Sequence, residues 1–380
     1  MISKNCALAI FIVVLFLNTA NSTSCRTPNY DRGECKPIEE CPSLQSATFR
    51  IDGQFDIKET IKLLNRSLIA CNSKPGEYLV CCANEQYLND VKLLDKNYDI
   101  LPDPDTCGMS HSAKDILIGR IIGGFNVSEG QFPWMVALGY DNGNGKLEYK
   151  CGGSLITSNH ILTAAHCVFG VPLIQVVSGT LNPYKNPSLI GKVVKSYIHE
   201  EYSHFTNVND IAIIKVQWRN SKGENMNFMP SKTADVICLP KTENLRKNTF
   251  ERFNLFISGW GDQEYDNPAS ASQTLLALQV PIERNSDCEK KYRDYNRTII
   301  SSNVLCAGFK KGGHDSCKGD SGGPLMFPER NSNGEFIYYQ IGILSKGYKC
   351  AVRGIPAIYT RVGNYIDWIL KTIRPRLFFV

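Results

Sequence analysis

The chain has 380 residues, which is enough for one large domain and one small domain. Its hydrophobic content of 43% is ordinary for a packed core, and its formal net charge of +5 is mild. With no basic arm and no aromatic-basic motif, the sequence argues against a dedicated nucleic-acid binder.

The first predicted element is a secretory signal peptide over residues 1–22. Lys4 precedes an unbroken apolar run over residues 7–17, and small polar residues follow the run. The run is too short for a stable anchor, because a membrane-spanning helix needs about 20 apolar residues. The mature protein is therefore predicted to be extracellular and not attached to a membrane. The alternative is that the segment remains as an uncleaved membrane anchor.

Cysteine usage agrees with an oxidising compartment. Of the 15 cysteines, Cys6 leaves with the signal peptide, and the remaining even number predicts a disulfide framework. A zinc site would need tight ligand spacing, and these cysteines are mostly spread out. Acceptor sequons for N-glycosylation occur at Asn65, Asn126 and Asn296, and a fourth, at Asn21, lies at the end of the signal peptide.

Residues 25–82 form the first predicted domain and contain six cysteines. So short a segment buries little core, so cross-links must hold it, and six cysteines allow 15 pairings. The adjacent Cys81 and Cys82 at its end resemble the clip domain, a knotted module that precedes arthropod trypsin-like proteases. That resemblance implies the pairs Cys25–Cys81, Cys35–Cys71 and Cys41–Cys82. Another small disulfide module is the alternative.

Residues 83–120 are polar, contain Pro102 and Pro104 and lack periodicity, which predicts a linker and activation segment. The final domain is predicted over residues 121–380. Short β-branched runs over 156–162, 174–177, 211–216 and 341–344 favour antiparallel β-barrels. Apolar residues at helical spacing predict a helix over residues 365–373.

Three motifs in this domain suggest nucleophilic catalysis. Residues 163–167 read TAAHC and contain His166, residues 209–216 read NDIAIIKV and contain Asp210, and residues 315–325 read DSCKGDSGGPL and contain Ser321. A serine hydroxyl needs a base and a site for the oxyanion. The order His, Asp, Ser is that of the chymotrypsin arrangement. From residue 121 onward the sequence resembles the trypsin-like serine proteases of the chymotrypsin family.

The resemblance implies an all-β fold of two packed six-stranded antiparallel barrels with a C-terminal helix. It also implies that Ser321 attacks the scissile carbonyl, His166 is the base, and Asp210 orients the imidazole. The amides of Gly319 and Ser321 would form the oxyanion hole.

The same resemblance implies a zymogen. Residues 117–124 read LIGRIIGG, so cleavage between Arg120 and Ile121 would free an amine that pairs with Asp320. A linker cation without this role is the alternative reading of Arg120.

Specificity for substrate Arg or Lys is implied by Asp315, six residues before the nucleophile, unless Asp315 is a surface residue. Ser345 and Gly347 match the strand that pairs with substrate backbone.

Three positions depart from the family pattern. Ala357 replaces the usual glycine of the pocket wall, Lys346 replaces an aromatic residue, and Lys318 replaces glutamine. We interpret the two lysines as making the cleft electropositive, so that acidic residues flanking the cleaved Arg are favoured. The alternative is that both lysines point to solvent.

The remaining cysteines are assigned by resemblance, leaving no free thiol. Cys151–Cys167 would brace the histidine loop, and Cys288–Cys306 and Cys317–Cys350 would brace the specificity loops. Cys107–Cys238 would hold the linker to the catalytic domain after cleavage.

The sequence thus predicts a secreted endopeptidase zymogen in an extracellular proteolytic cascade, such as immunity, melanisation or Toll activation. Its partners would be protein substrates, an upstream activating protease and a serpin, with no nucleic acid and no membrane. No cofactor and no metal are predicted, since no convincing acidic ligand set for calcium is present. The alternatives are a venom or haemolymph protease acting on foreign proteins, and a non-catalytic clip-domain adaptor.

Overall fold

The computed structural model describes residues 24–26, 32–37, 71, 79–83, 101–112, 124–220, 222–251, 253–263, 267–293, 298–309, 319–331, 334–347 and 354–374. The chain forms two compact units, Met1–Lys96 and Asn97–Val380. Several predictions lie outside the described residues: the signal peptide, the sequons at Asn65 and Asn296, the side chain of Cys25, and Cys41, Arg120, Ile121, Asp315, Cys317, Lys318 and Cys350.

The first unit contains a three-stranded antiparallel sheet in the order β1-β2-β3, formed by β1 (Ser24–Arg26), β2 (Arg32–Pro37) and β3 (Leu79–Ala83). A disulfide joins Cys35 to Cys71, one of the pairs that the resemblance implies. Cys81 and Cys82 are buried and disulfide-bonded as well. In so small a sheet, cross-links replace the apolar core that a short segment cannot build.

The second unit is built from thirteen strands among its described residues. They are β4 (Phe125–Asn126), β5 (Met135–Asp141), β6 (Leu147–Thr157), β7 (His160–Thr163), β8 (Leu173–Ser178), β9 (Leu189–Ile198), β10 (Ala212–Arg219), β11 (Asn254–Gly259), β12 (Leu276–Glu283), β13 (Val304–Ala307), β14 (Pro324–Arg330), β15 (Phe336–Lys346) and β16 (Ala357–Arg361).

These strands form two antiparallel barrels. The first is closed in the order β10-β7-β6-β5-β8-β9. The second runs β11-β14-β15-β16-β13-β12 and closes through β11 and β12, with β4 added on β12. The predicted fold of two six-stranded antiparallel barrels is confirmed. Asn126 is exposed on β4, so its sequon is accessible.

Helices are short: α1 (Glu243–Lys247), α2 (Asn285–Tyr292) and α3 (Ile366–Ile373), with 3-10 turns at Ala165–Cys167, Pro268–Ser270 and Val362–Tyr365. The predicted C-terminal helix is confirmed as α3, which buries the apolar residues at helical spacing: Ile366, Ile369, Leu370 and Ile373. The segment over 156–162 is not one strand, because Ser158 and Asn159 form the tight turn between β6 and β7. The buried end of β6 and the buried β7 flank this turn.

Aromatic side chains fill the junction of the two barrels. Trp134, which precedes β5, lies 5.5 Å from the ring of Tyr338 on β15, and Phe132 meets the same ring edge-on. The indole of Trp134 also donates to the sulfur of Met326 on β14 at 3.1 Å. Contacts of this kind add about 0.5–1.5 kcal/mol each beyond burial and hold the barrels in one orientation.

Residues 101–112, predicted as part of a linker, are bound along the second unit. Cys107 is fully buried and disulfide-bonded to Cys238, the pair that the resemblance implies. The Gly108 carbonyl accepts from the Tyr338 amide of β15, its amide donates to the Val236 carbonyl, and an added Cβ there would lie 2.4 Å from the Tyr338 carbonyl. Ion pairs join Lys241 to Asp103 at 2.6 Å and His111 to Asp235 at 3.2 Å. We call residues 101–112 the tether.

Candidate active site

His166 lies in a 3-10 turn directly after β7. The disulfide Cys151–Cys167 fixes this turn to β6, again as the resemblance implies. The buried hydroxyl of Tyr140 donates to the Cys167 carbonyl at 2.8 Å. These restraints hold the backbone of the turn, while about a quarter of the imidazole remains exposed.

Asp210 is fully buried and orients this imidazole. Its Oδ1 accepts from the His166 backbone amide at 2.9 Å, and its Oδ2 lies 2.8 Å from His166 Nδ1. Ser345 on β15 donates its hydroxyl to Oδ2 at 2.6 Å, and Thr360 on β16 donates to the Asp210 carbonyl at 2.8 Å. A carboxylate so placed keeps the Nδ1 proton on the ring and leaves Nε2 as the acceptor.

The residue that precedes Asp210 in the chain helps to position its carboxylate. Asn209 adopts φ +55°, a left-handed conformation that asparagine tolerates well. Its amide donates to the Glu201 carbonyl at 3.0 Å and accepts from the Tyr365 hydroxyl at 2.7 Å. Burial, with the charge of Asp210 as a second cause, raises the pKa of Tyr365 to about 12, so this hydroxyl remains a donor.

Ser321 lies in a turn between the two barrels. Its carbonyl accepts from the Gly152 amide of β6 at 2.7 Å. The next two residues pair with β15: Gly322 donates to Leu344 at 2.8 Å, and Leu344 donates to Gly323 at 2.9 Å. Gly322 has φ +80°, and a Cβ there would lie 2.2 Å from the Thr163 hydroxyl. Glycine is therefore required for the close approach of this turn to the histidine loop.

The two loops meet at the disulfide. Cys167 Sγ lies 3.6 Å from both His166 Nε2 and the Ser321 carbonyl oxygen. Among the described residues, no hydrogen bond joins the Ser321 hydroxyl to His166. Catalytic hydrogen bonds often tighten only when substrate binds. The structure thus brings His166, Asp210 and Ser321 to one place.

Two backbone amides of the Ser321 turn are uncommitted. Gly319 has φ +100°, and neither its amide nor that of Ser321 donates to a protein atom in the described part of the chain. Both residues are half-buried. Free amides at the turn of a nucleophile are the donors that an oxyanion needs.

Asp320 lies against the glycine-rich segment after β11. Its Oδ1 accepts from the Gly261 amide at 2.8 Å, and a Cβ on Gly259 would lie 2.1 Å from the same oxygen. The carboxylate therefore occupies space that only a glycine at position 259 leaves open. Ile121, its predicted partner, is outside the described residues.

The described residues that the sequence predicts to face substrate lie at the ends of β15 and β16. Lys346 is half-buried and donates to the Thr298 hydroxyl at 3.1 Å, and burial lowers the pKa of its ammonium. Gly347 is exposed, and Ala357 is fully buried opposite Ala307 in β13. A further disulfide joins Cys288 to Cys306, as the resemblance implies.

Sequence reasoning missed four residues that shape the site. Asn209, Thr360 and Tyr365 support Asp210, and Thr298 holds the Lys346 ammonium. These four residues are of common types, and three of them are distant in sequence from the groups that they contact. No sequence signal marks such contacts without the fold.

A metal site is not built from the sulfurs beside His166. Among the described residues, Cys151, His166 and Cys167 are the grouping whose atom types could ligate an ion. Because the two sulfurs form a disulfide, they offer no thiolate. In the described part of the chain, no helix is both long and apolar enough to cross a bilayer.

Comparisons with known proteins agree with this site. The family model described as Trypsin matches residues 121–369, and the one described as Regulatory CLIP domain of proteinases matches residues 25–82. The Venom serine protease Bi-VSP of Bombus ignitus is 37% identical over 371 residues, which are 95% of each chain. Phenoloxidase-activating factor 3 of Holotrichia diomphalia is 32% identical, covering 94% of this chain and 96% of that protein.

A solved structure is similar as well. The crystal structure of the Drosophila Grass clip serine protease of the Toll pathway has a TM-score of 0.60 and 29% identity. The match covers 93% of this chain and 97% of that chain. The chain therefore belongs to the clip-domain serine proteases of the trypsin family, and it is a trypsin-like serine endopeptidase.

Proposed function

We propose that the chain is a secreted zymogen, activated between Arg120 and Ile121, that cuts protein substrates after Arg or Lys. The observation that carries this proposal is the buried Asp210 held against His166 Nδ1, beside a serine turn with two uncommitted amides. The non-catalytic adaptor is set aside, since such an adaptor has no use for this arrangement.

In the proposed mechanism, the Ser321 hydroxyl attacks the scissile carbonyl while His166 Nε2 takes its proton. The imidazolium that forms is stabilised by Asp210, which stays ionised. The Gly319 and Ser321 amides donate to the oxyanion, and removing one such donor typically costs about 3–4 kcal/mol of transition-state stabilisation. His166 then gives the proton to the leaving amine, and water repeats the sequence on the acyl-enzyme.

Activation acts on the loop that carries the nucleophile. Cleavage frees the Ile121 amine, which pairs with Asp320 and so fixes the turn between Gly319 and Ser321. The contact of Asp320 with Gly261 supports this role, because it already holds the carboxylate in a confined space. A charge-assisted hydrogen bond from the new amine to this carboxylate would be stronger than a bond between neutral groups.

Substrate selection is assigned to Asp315 at the base of the pocket, with Ser345 and Gly347 along the substrate backbone. The fully buried Ala357 is assigned to the pocket wall, which its methyl would narrow. Protein substrates, an upstream activating protease and a serpin inhibitor are the proposed partners.

A proteolytic cascade in immunity, melanisation or Toll activation is the favoured setting. Relatives named Phenoloxidase-activating factor 3 and Serine protease grass support it, and each covers more than nine-tenths of this chain. A venom protease acting on foreign proteins is the second candidate, supported by the 37% identity to the Bombus ignitus venom serine protease.

The test uses the full chain, its Arg120→Gln variant and its Ser321→Ala variant. A trypsin-like activator should convert the wild type into an enzyme that cleaves Arg peptides and binds a serine-directed phosphonate. Arg120→Gln should remain uncut and inactive, and Ser321→Ala should be cut but not labelled. Full activity of uncut Arg120→Gln would contradict the zymogen proposal.

A second experiment distinguishes the cascade role from the venom role. The active enzyme is incubated with candidate zymogens and, separately, with foreign proteins.

A further inference from the structure

Lys346 lies at the mouth of the catalytic cleft, as the backbone around it shows. Leu344 is hydrogen-bonded on both sides to the turn after Ser321, at 2.8 and 2.9 Å. Ser345 donates to the catalytic carboxylate at 2.6 Å. The pairing of β15 with β16 shifts register between Leu344 and Lys346, and the Lys346 side chain reaches Thr298, whereas Ser345 reaches Asp210.

Its ammonium is partly withdrawn from solvent, and the described residues supply no charged partner for it. The side chain is half-buried, and Nζ donates to the neutral hydroxyl of Thr298 at 3.1 Å. In the described part of the chain, no carboxylate lies within ion-pair distance of Nζ. Burial lowers the pKa of this ammonium, which is the expected result of desolvation without a counter-charge.

An ammonium has three donors, and Thr298 accepts from one of them. A partly desolvated cation gains more from a carboxylate than a solvated cation does, because its own water has already been removed. The charge-assisted hydrogen bond that would form is also stronger than the one to a hydroxyl. A carboxylate of the bound substrate could therefore serve as the acceptor for the Lys346 ammonium.

We propose that Lys346 is a specificity-determining residue that selects an acidic side chain in the substrate, within the three residues preceding the cleaved Arg. The inference rests on the proposed cleavage after Arg and narrows its substrate class to acidic–basic segments of proteins. Of the two lysines that the sequence suggested for this role, Lys346 carries the proposal alone, since Lys318 is outside the described residues.

The experiment compares pairs of peptides that differ only in charge. Fluorogenic peptides ending in Arg carry Asp or Asn, and Glu or Gln, at one of the three preceding positions. The full chain is cleaved at Arg120, and its active sites are titrated, so that kcat/KM refers to functional enzyme. We expect the acidic member to be preferred by about five- to tenfold at low ionic strength, at one position at least. The preference should shrink when the salt concentration is raised about tenfold.

Three variants identify the cause. Lys346→Met keeps the length and removes the charge, so its acid-to-amide ratio should fall to about 1. Because the ratio compares two peptides on one enzyme, a general change in activity cancels. Lys346→Arg should retain the preference. Lys371→Met removes an exposed lysine of α3 and should behave as wild type, which excludes an effect of net charge.

Two outcomes would overturn the inference: a ratio of 1 at all three positions in the wild type, or an unchanged ratio in Lys346→Met. Failure of the proposed function is different and visible in the same assay, because no peptide with Arg would then be cleaved at all.

Discussion

At the scale of single residues, the site depends on a buried carboxylate that is surrounded by donors. Asp210 accepts from two groups of His166 and from the Ser345 hydroxyl, and its carbonyl accepts from Thr360. Burial also raises the pKa of the nearby Tyr202 to about 12, with the Asp210 charge as a second cause. The donors therefore stabilise the Asp210 carboxylate, and the Tyr202 hydroxyl does not add a second negative charge beside it.

Asp210→Asn should reduce kcat by about 10³- to 10⁴-fold, because an amide can hold the imidazole in the wrong tautomer. The matched control is Asp235→Asn. Asp235 also pairs with a histidine, His111 of the tether, yet has no contact with the site. Activity of both activated variants on an Arg peptide checks the prediction. A loss of less than tenfold in Asp210→Asn would contradict the assigned role.

His160 should make stability depend on pH. Burial, assisted by the charge of Lys215, lowers the pKa of His160 to about 4, and its Nδ1 shares a hydrogen bond with the Thr157 hydroxyl. The unfolded state, with a pKa near 6.5, binds the proton first. Stability is therefore full above about pH 6.5 and falls as the pH drops toward 4, by on the order of 1–2 kcal/mol.

Thermal melts of the wild type and His160→Gln from pH 7 to pH 4 measure this term. The variant should lose less stability over that range than the wild type does. His204→Gln, which changes an exposed histidine, should keep the wild-type slope. Parallel curves for the wild type and His160→Gln would show that His160 does not contribute.

At the scale of elements, short turns do more for the site than the strands that they join. The turn after Ser321 contacts β6, β15 and the histidine loop. These approaches depend on backbone conformations that a side chain would block. The segment over 156–162 also depends on a turn. Ser158 and Asn159 separate β6 from β7, and the residues on both sides of this turn are buried.

Gly322→Ala should destabilise the protein by more than conformational strain alone. Its φ of +80° strains alanine by about 1–2 kcal/mol, and the new methyl would meet Thr163 at 2.2 Å and the Gly152 carbonyl at 2.5 Å. The control is Gly143→Ala, which has φ +83° and nothing within 4 Å of the added Cβ. Denaturant unfolding of both variants isolates the steric part. Equal losses would mean that the turn relaxes freely.

At the scale of the whole molecule, the tether determines which parts of the protein would stay covalently linked after the proposed cleavage at Arg120. A disulfide, backbone hydrogen bonds and two ion pairs hold residues 101–112 on the second unit. Arg120 lies beyond the tether, so cleavage there leaves the first unit covalently attached through Cys107–Cys238. The clip module would thus accompany the active enzyme to its substrate.

The double variant Cys107→Ser/Cys238→Ser tests this arrangement. After cleavage at Arg120, the wild type should run as one species on a non-reducing denaturing gel, and the variant should run as two. Loss of the bridge should also lower stability by about 3–5 kcal/mol, because it closes a long loop. A wild type that separates into two fragments without reductant would contradict the prediction.

The sequence by itself determined the fold class and the chemistry. Barrels follow from short β-branched runs with turn residues between them, and the catalytic motifs carry residue types that few other functions require. Such signals are local, so they are readable along the chain. The C-terminal helix is another local signal, since its apolar residues recur at helical spacing within one segment.

Only the tertiary structure decided which distant groups meet. Thr360 and Tyr365 reach the Asp210 loop from more than 140 positions away, and the Lys346 ammonium donates to Thr298. About a third of the predicted linker is the tether, held by a disulfide. The reason is physical: hydrogen bonds and ion pairs between remote residues depend on barrel closure, and closure is set by the packing of the whole core. Local patterns cannot encode it.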